Sequence, residues 1–122
     1  MTDSYFFDSY AILEIIFGNE NYTKYKDCKI TTTKLNLMEI HYKLLRELDE
    51  YQANLFLEEY SKYVIDFDNK IIRDSSVFKL LYKERNLSMT DCIGYVISLR
   101  LGIKFLTGDK QFTDIENVEF VK

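Results

Sequence analysis

Short strand-like segments alternate with longer helical patterns along this chain, and the alternation limits the folds open to it. Five segments are short, apolar and rich in β-branched or aromatic residues, as buried strands are: residues 4–8, 29–33, 63–67, 103–107 and 118–121. Strands that alternate with helices form βαβ units, whose strands run parallel and are covered by helices on both faces. We therefore expect an α/β domain with a central parallel sheet of four to five strands.

The helices are indicated by apolar residues at helical spacing and by residues that begin or end helices. The spacing predicts helices over residues 10–17, 35–50, 51–63, 69–85 and 88–101, and a loop or weak helix over residues 19–28. Gly18 and Gly102 suit the left-handed position that follows a helix, and Thr33 and Ser88 suit the capping position that precedes one. No repeat, linker or low-complexity tract interrupts this order, so we expect one domain over residues 1–122.

Three of the predicted helices carry apolar stripes. Leu45, Leu55 and Leu81 lie at helical spacing with other apolar residues of the helices predicted over residues 35–50, 51–63 and 69–85. His41, the only histidine, shares a stripe with Leu37 and Leu44, so a core histidine with satisfied nitrogens is favoured over a catalytic base.

Composition and charge exclude several classes of function. The 122 residues carry 20 acidic and 16 basic side chains, and this net charge of −4 argues against a protein that holds nucleic acid on a broad basic surface. No uncharged apolar run approaches the ~18 residues of a membrane span, and the N-terminus lacks the basic region of a signal peptide. Cys28 and Cys92 stand far apart beside a single histidine, which excludes a zinc cage and fits reduced thiols in the cytoplasm.

Four carboxylates are expected at one edge of the sheet. Asp8 ends the first strand, Asp91 lies in the first turn of a helix, and Asp109 follows the strand at residues 103–107. Glu39 lies about one and a half turns into its helix, and its side chain leans back toward the helix start. In a parallel α/β sheet the strand carboxyl ends and the helix N-termini share one edge, which is where ligands bind.

Carboxylates gathered in one cleft repel each other and call for a counter-ion. Mg²⁺ and similar hard cations prefer oxygen ligands and commonly bind beside phosphates. Such an ion activates water and stabilises the oxygens of a phosphodiester that is being cleaved. The arrangement therefore favours metal-assisted phosphodiester hydrolysis.

Each acid also has a structural alternative. Asp8 is suited to cap the helix that follows it, Asp91 to compensate a helix dipole, and Asp109 to form a turn. Glu39 is spaced to pair with Lys43 on an exposed helix face. Cys92, next to Asp91, has no basic or histidine neighbour in sequence to activate it, so we interpret it as a packing residue.

At these residues the sequence resembles the PIN-domain family of metal-dependent ribonucleases, especially the VapC-type toxins of prokaryotic toxin–antitoxin pairs. The similar segments are Phe7-Asp8-Ser9-Tyr10-Ala11, Leu37-Met38-Glu39-Ile40, Leu87-Ser88-Met89-Thr90-Asp91, and Phe105-Leu106-Thr107-Gly108-Asp109 with Lys110-Gln111-Phe112 after it. They occur in the family's order and span residues 4–121. The resemblance implies a three-layer α/β/α domain.

The resemblance also implies roles for individual residues. Asp8, Glu39, Asp91 and Asp109 would hold Mg²⁺ or Mn²⁺, and Ser9 and Thr107 would orient carboxylates or water through their hydroxyls. The family often has a further acid where this chain has Gln111, and Asp114 is the nearest substitute. Toxin members dimerise and are neutralised by an antitoxin, so the resemblance implies a homodimer, an antitoxin partner and an RNA substrate.

Other functions remain open at this stage. A housekeeping RNA-processing nuclease and a catalytically inactive, partner-binding PIN-like domain would share the same fold. A phosphoacceptor receiver domain is disfavoured because Asp8 is followed by Ser9 rather than by a second acid, and because no late lysine is well placed after a strand for that role. Dehalogenase-type phosphatases need Asp-x-Asp at that place, and Asp8-Ser9-Tyr10 lacks the second acid. No glycine-rich phosphate loop occurs, so nucleotide-cofactor enzymes are not supported either.

Overall fold

The computed structural model describes residues 3–122. Its strands are β1 (Ser4–Phe7), β2 (Lys29–Thr31), β3 (Lys104–Thr107) and β4 (Val118–Phe120). Its α-helices are α1 (Ser9–Ile16), α2 (Lys34–Glu47), α3 (Glu50–Ser61), α4 (Asn69–Leu81) and α5 (Met89–Leu101). Two short 3₁₀-helices, Glu20–Tyr25 and Lys110–Phe112, complete the described chain.

The four strands form one parallel sheet in the order β2-β1-β3-β4. This confirms the predicted α/β fold. Successive residues of β1 point to opposite faces, so that Phe6 and Phe7, both fully buried, lie in two separate cores. Phe7 packs with α1, α2 and α3, whereas Phe6 packs with α5 and the ring of Phe105. Helices therefore cover both faces of the sheet.

The strand predicted at residues 63–67 is wrong. A single parallel bridge joins Val64 to Thr32, through Thr32 N–H to the Tyr63 carbonyl at 3.1 Å and Ile65 N–H to the Thr32 carbonyl at 3.0 Å. Pairing stops there, and residues 65–68 lead without further strand structure to α4, whose N-terminus is capped by Asp68. The segment therefore pairs with the chain just beyond β2 through a single residue, and does not form a fifth strand.

Most predicted helix ends are confirmed. Gly18 (φ +80°) and Gly102 (φ +67°) are left-handed after α1 and α5, and the hydroxyls of Thr33 and Ser88 cap α2 and α5. The helix predicted over residues 69–85 ends at Leu81, because residues 82–85 close into turns that include a 2.9 Å bond from Arg85 N–H to the Tyr82 carbonyl.

Several apolar residues of the predicted stripes are not buried. Leu45, Leu55 and Leu81 are 40%, 53% and 75% exposed. His41 is partly buried rather than fully enclosed in the core, and one of its ring nitrogens has a hydrogen-bond partner. Its Nε2 lies 2.8 Å from Oδ1 of Asn54 on the neighbouring helix α3.

None of the helices in residues 3–122 combines the length and apolar character that crossing a bilayer requires.

Candidate active site

Asp8 is the most deeply buried of the four predicted acids. It directly follows β1, and its N–H donates to the Leu106 carbonyl on β3 at 3.2 Å, which holds it at the carboxyl edge of the sheet. Its side chain is 2% exposed, and Oδ1 accepts the N–H of Ala11 at 2.8 Å. Burial is the main cause that raises the pKa of Asp8 to about 8; repulsion by Asp91 and Asp109 adds to it, and hydrogen bonds from Thr107 and Ala11 oppose it.

Thr107 links two of the acids through one hydroxyl. Its hydroxyl lies near the Asp8 carboxylate, where it opposes the rise in the pKa of that acid, and its Oγ1 accepts the N–H of Asp109 at 3.0 Å. Because Thr107 is fully buried at the end of β3, this hydroxyl is held rigidly between its partners. The geometry agrees with an orienting role for Thr107.

Glu39 is brought to the site by Ser9. The Ser9 hydroxyl, in the first residue of α1, donates a 2.7 Å hydrogen bond to Oε1 of Glu39 on α2. The alternative pairing of Glu39 with Lys43 is wrong, since Lys43 lies 3.9 Å from Glu47 instead. Glu39 itself is exposed, so its carboxylate lies at the open side of the site.

Asp91 lies in the first turn of α5 and closes a reciprocal cap with Ser88. Its Oδ2 accepts the Ser88 N–H at 2.9 Å, and its own N–H donates to the Ser88 hydroxyl at 3.0 Å. Burial raises the pKa of Asp91, as does repulsion by Glu39 and Asp109, while the hydrogen bonds from Ser88 lower it. Asp91 thus feels the charges of Glu39 and Asp109, and Asp8 feels those of Asp91 and Asp109, so the four acids are linked at this edge.

Asp109 caps the 3₁₀-helix Lys110–Phe112, with its Oδ1 accepting the N–H of Gln111 at 3.0 Å. The capping and turn roles considered for Asp8, Asp91 and Asp109 are therefore all real. They do not exclude a second role, because an oxygen that accepts one hydrogen bond has a further lone pair for another partner.

A protein-family comparison decides the identity of the fold. The PIN-domain family matches residues 5–118, nearly the whole chain. The chain belongs to the PIN-domain family. A comparison with curated proteins returned no significant match.

Solved structures agree with this assignment. A toxin–antitoxin complex from Klebsiella pneumoniae contains a chain that superimposes with a TM-score of 0.74 at 17% identity, covering 94% of this chain and 95% of its own. VapBC2 from Rickettsia felis, bound to a DNA fragment from its promoter, also contains a chain that superimposes on this one. The TM-score is 0.73 at 17% identity, and the match covers 98% of this chain and 99% of the other. At this level of identity the likeness establishes the PIN fold.

One departure from the PIN pattern has a structural explanation. Gln111, which stands where the family often has an acid, ties the turn after β3 to the loop before α5: its Oε1 accepts the Asn86 N–H at 3.2 Å, and its carbonyl accepts Nη1 of Arg85 at 2.8 Å. The same Nη1 donates to the Thr113 carbonyl at 2.6 Å. Asp114, the suggested substitute, is exposed in a left-handed turn (φ +69°) two residues beyond the 3₁₀-helix.

The donor set of this PIN domain suits a hard divalent cation. Four carboxylates share one edge, and the three ion pairs in residues 3–122 all lie elsewhere, at Lys43–Glu47, Lys62–Glu59 and Arg100–Asp74. The buried carboxyl group of Asp8 therefore has no side-chain cation beside it that would favour its ionised form. Within the same residues no three Asp, Glu, His or Cys side chains stand arranged to hold an ion. An ion bound at this edge would therefore draw the carboxylates closer together than they stand here.

Three residues that contribute to the site were missed by sequence reasoning. Asn36, buried on α2, reaches Ser9, and Arg85 holds the turn that carries Asp109. Gly108 lies under the ring of Tyr10. Only Asn36 carried a usable signal: it lies three residues before Glu39, on the same face of a predicted helix.

Proposed function

We propose that this PIN domain, over residues 1–122, is a Mg²⁺- or Mn²⁺-dependent endoribonuclease, a hydrolase that cleaves RNA phosphodiester bonds. The observation that carries the proposal is the gathering of Asp8, Glu39, Asp91 and Asp109 at the carboxyl edge of the sheet without a cationic partner. Mutual repulsion at such a site is relieved by a divalent cation.

Each of the four acids would contribute to cation binding from a different position. Asp8 is a buried ligand, fixed by Ala11 and Thr107, and Asp109 is fixed relative to it by the same threonine. Asp91 contributes a carboxylate from the start of α5, and Glu39 one from the open side. When bound, the ion activates a water and stabilises the attacking and leaving oxygens of the phosphodiester.

The charge distribution is compatible with an RNA substrate. Setting the four site acids aside leaves 16 acidic and 16 basic residues, so the rest of the chain is formally neutral. The net charge of −4 therefore equals the charge of the four site acids. At the site a divalent cation would lie between these acids and a phosphate of the substrate. The net charge therefore does not oppose brief contact with RNA.

We further propose that the protein is the toxin of a toxin–antitoxin pair, acting in the cytoplasm as a homodimer that an antitoxin neutralises. The support is that the two similar structures described above are a toxin–antitoxin complex and a VapBC2 complex. The reduced state of Cys28 and Cys92 suits a cytoplasmic location.

The nuclease is tested by incubating RNA with the purified protein and Mg²⁺ or Mn²⁺, with Asp8→Asn and Asp91→Asn beside it. The matched control is Asp49→Asn, because Asp49 also caps a helix, α3, away from the site, and asparagine caps as well as aspartate. We expect loss of cleavage in the two site variants alone. Equal cleavage by all four proteins would point to a contaminating nuclease and contradict the proposal.

The toxin role is tested by induced expression in bacterial cells. Growth arrest with the wild-type protein and not with Asp8→Asn supports a toxin. Cleavage in vitro without growth arrest would instead favour a housekeeping RNA-processing nuclease. A protein that neither binds Mn²⁺ nor cleaves RNA would be an inactive, partner-binding PIN-like domain.

A further inference from the structure

A chain of hydrogen bonds runs from the start of α2 to the site. The Thr33 hydroxyl donates to Oδ1 of Asn36 at 2.7 Å, and Nδ2 of Asn36 donates to the Ser9 hydroxyl oxygen at 3.1 Å. Ser9 donates in turn to Oε1 of Glu39 at 2.7 Å. The chain thus begins in the core and ends on an exposed carboxylate.

The direction of these hydrogen bonds follows from the bond that the Thr33 hydroxyl oxygen accepts. Its oxygen accepts the backbone N–H of Asn36 at 3.3 Å, so its hydroxyl hydrogen is free to donate to the Asn36 carbonyl oxygen. That bond turns the amide so that its NH₂ group meets Ser9. Because Ser9 then accepts from Asn36, its own hydrogen is directed at Glu39 rather than back at Asn36.

Burial makes this arrangement rigid. Asn36 and Thr33 are each 1% exposed, so their hydrogen bonds have no competition from water. Burying an amide costs free energy unless its polar atoms are paired, and an apolar side chain would fill the same space without that requirement. Stability alone therefore gives no reason for an asparagine here, whereas a directed donor to Ser9 does.

We propose that Asn36 is a positioning residue that directs the Ser9 hydroxyl toward Glu39 and so holds the Glu39 carboxylate in the orientation that binds a divalent cation. The inference rests on the proposed function only in taking Glu39 as a metal ligand. Asn36 acts through Ser9 and touches neither cation nor substrate.

The test compares Mn²⁺ binding by calorimetry in the wild type, Asn36→Leu, Ser9→Ala and the double variant. Orienting partners of metal ligands typically contribute ten- to a hundredfold in affinity, so we expect each single variant to bind Mn²⁺ roughly tenfold more weakly. Because Asn36 acts through Ser9, the double variant is expected to bind no more weakly than Ser9→Ala. Additive losses would overturn the proposal, since residues that act independently give additive effects.

Ser98→Ala is the matched control. Ser98 is fully buried on α5, and its hydroxyl pairs with the Asn117 amide at 3.3 Å, outside the carboxyl edge. This variant loses a hydroxyl–amide bond like that of Ser9 with Asn36, and we expect it to keep wild-type Mn²⁺ affinity. An equal loss in Ser98→Ala would mean that the effect is general destabilisation, which would overturn the proposal.

If Asn36→Leu does not fold, Asn36→Asp replaces it in the binding experiment. Aspartate keeps the shape of asparagine and the acceptor for Thr33, but it replaces the donor to Ser9 with an acceptor. The Ser9 hydroxyl would then turn toward residue 36 and leave Glu39. An added negative charge would by itself tighten Mn²⁺ binding, so weaker binding supports the proposal and tighter binding overturns it.

Failure of the proposed function is distinguishable from failure of this inference. If the wild type binds Mn²⁺ but cleaves no RNA, the nuclease proposal fails while the affinities still decide the role of Asn36. If the wild type cleaves RNA, and Asn36→Leu binds Mn²⁺ as tightly as the wild type, only the inference about Asn36 fails. If the wild type binds no Mn²⁺, both are overturned.

Discussion

Gly108 lies directly against the ring of Tyr10. A Cβ placed on Gly108 would stand 2.2 Å from Cε1 of Tyr10 and 2.3 Å from the Val121 carbonyl oxygen. No side chain fits between the end of β3 and these neighbours. Because Gly108 immediately precedes Asp109, this close packing helps to decide where the Asp109 carboxylate lies.

Gly108→Ala is expected to disturb the site as well as the fold. Overpacking costs about 1–3 kcal/mol in the free energy of unfolding, and shortening Tyr10 would not relieve the clash with the Val121 backbone. Displacement of Asp109 is expected to lower RNA cleavage roughly ten- to hundredfold. Urea unfolding and cleavage kinetics measure the two effects.

The control for this prediction is Gly102→Ala. Nothing lies within 4 Å of a Cβ at Gly102, but its φ of +67° makes alanine unfavourable by roughly 1–2 kcal/mol. We expect destabilisation with normal cleavage. If both variants lost cleavage in proportion to stability, Gly108 would have no specific effect on Asp109.

The buried Asp8 predicts a pH dependence for the metal-free protein. Its pKa is raised from 3.8 to about 8 in the folded state, so folding favours the protonated form. The contribution of Asp8 to stability is therefore fully present below its unfolded pKa, near 4, and is lost as the pH rises toward 8. Since one pKa unit corresponds to 1.36 kcal/mol, we expect a loss of more than about 1 kcal/mol.

Urea unfolding in EDTA at pH 5 and pH 8.5 measures this effect, with Asp8→Asn as the reference. Asparagine keeps the bond to Ala11 without a titrating group, so the wild type should lose stability relative to the variant as the pH rises. A constant difference between the two proteins would contradict the prediction.

A divalent cation is expected to stabilise the wild-type protein. An ion that binds only the folded state at a hundred times its Kd adds about 2.7 kcal/mol to the free energy of unfolding. We expect millimolar Mn²⁺ to raise the Tm of the wild type and of Asp49→Asn, and to leave that of Asp91→Asn nearly unchanged. Equal shifts in all three would indicate binding away from the four acids.

Arg85 is expected to support the site by holding the turn that carries Asp109. Arg85→Met keeps the apolar stem but loses the bonds to the Gln111 and Thr113 carbonyls, each worth about 1 kcal/mol. We expect lower stability and weaker Mn²⁺ binding by calorimetry. Lys83→Met, an exposed neighbour, is the control; a similar result in both variants would mean that loss of positive charge is responsible.

Much of the fold follows from patterns that are local in sequence. The caps at Thr33 and Ser88 and the left-handed Gly18 and Gly102 each depend on neighbouring backbone groups, and all four were predictable. The segment at residues 63–67 was not, because its β-branched and aromatic residues suit a strand whether or not a partner strand is within reach.

The sequence by itself determined that four acids meet at one edge, because parallel βαβ connectivity brings strand ends and helix starts together whatever the side chains between them. Only the tertiary structure decided how those acids are held. Thr107 between Asp8 and Asp109, Asn36 behind Ser9, and Arg85 beneath the Gln111 turn depend on which side chains face each other across separate elements. Such contacts join residues far apart in the chain, and their geometry is set by packing, which spacing along a sequence does not encode.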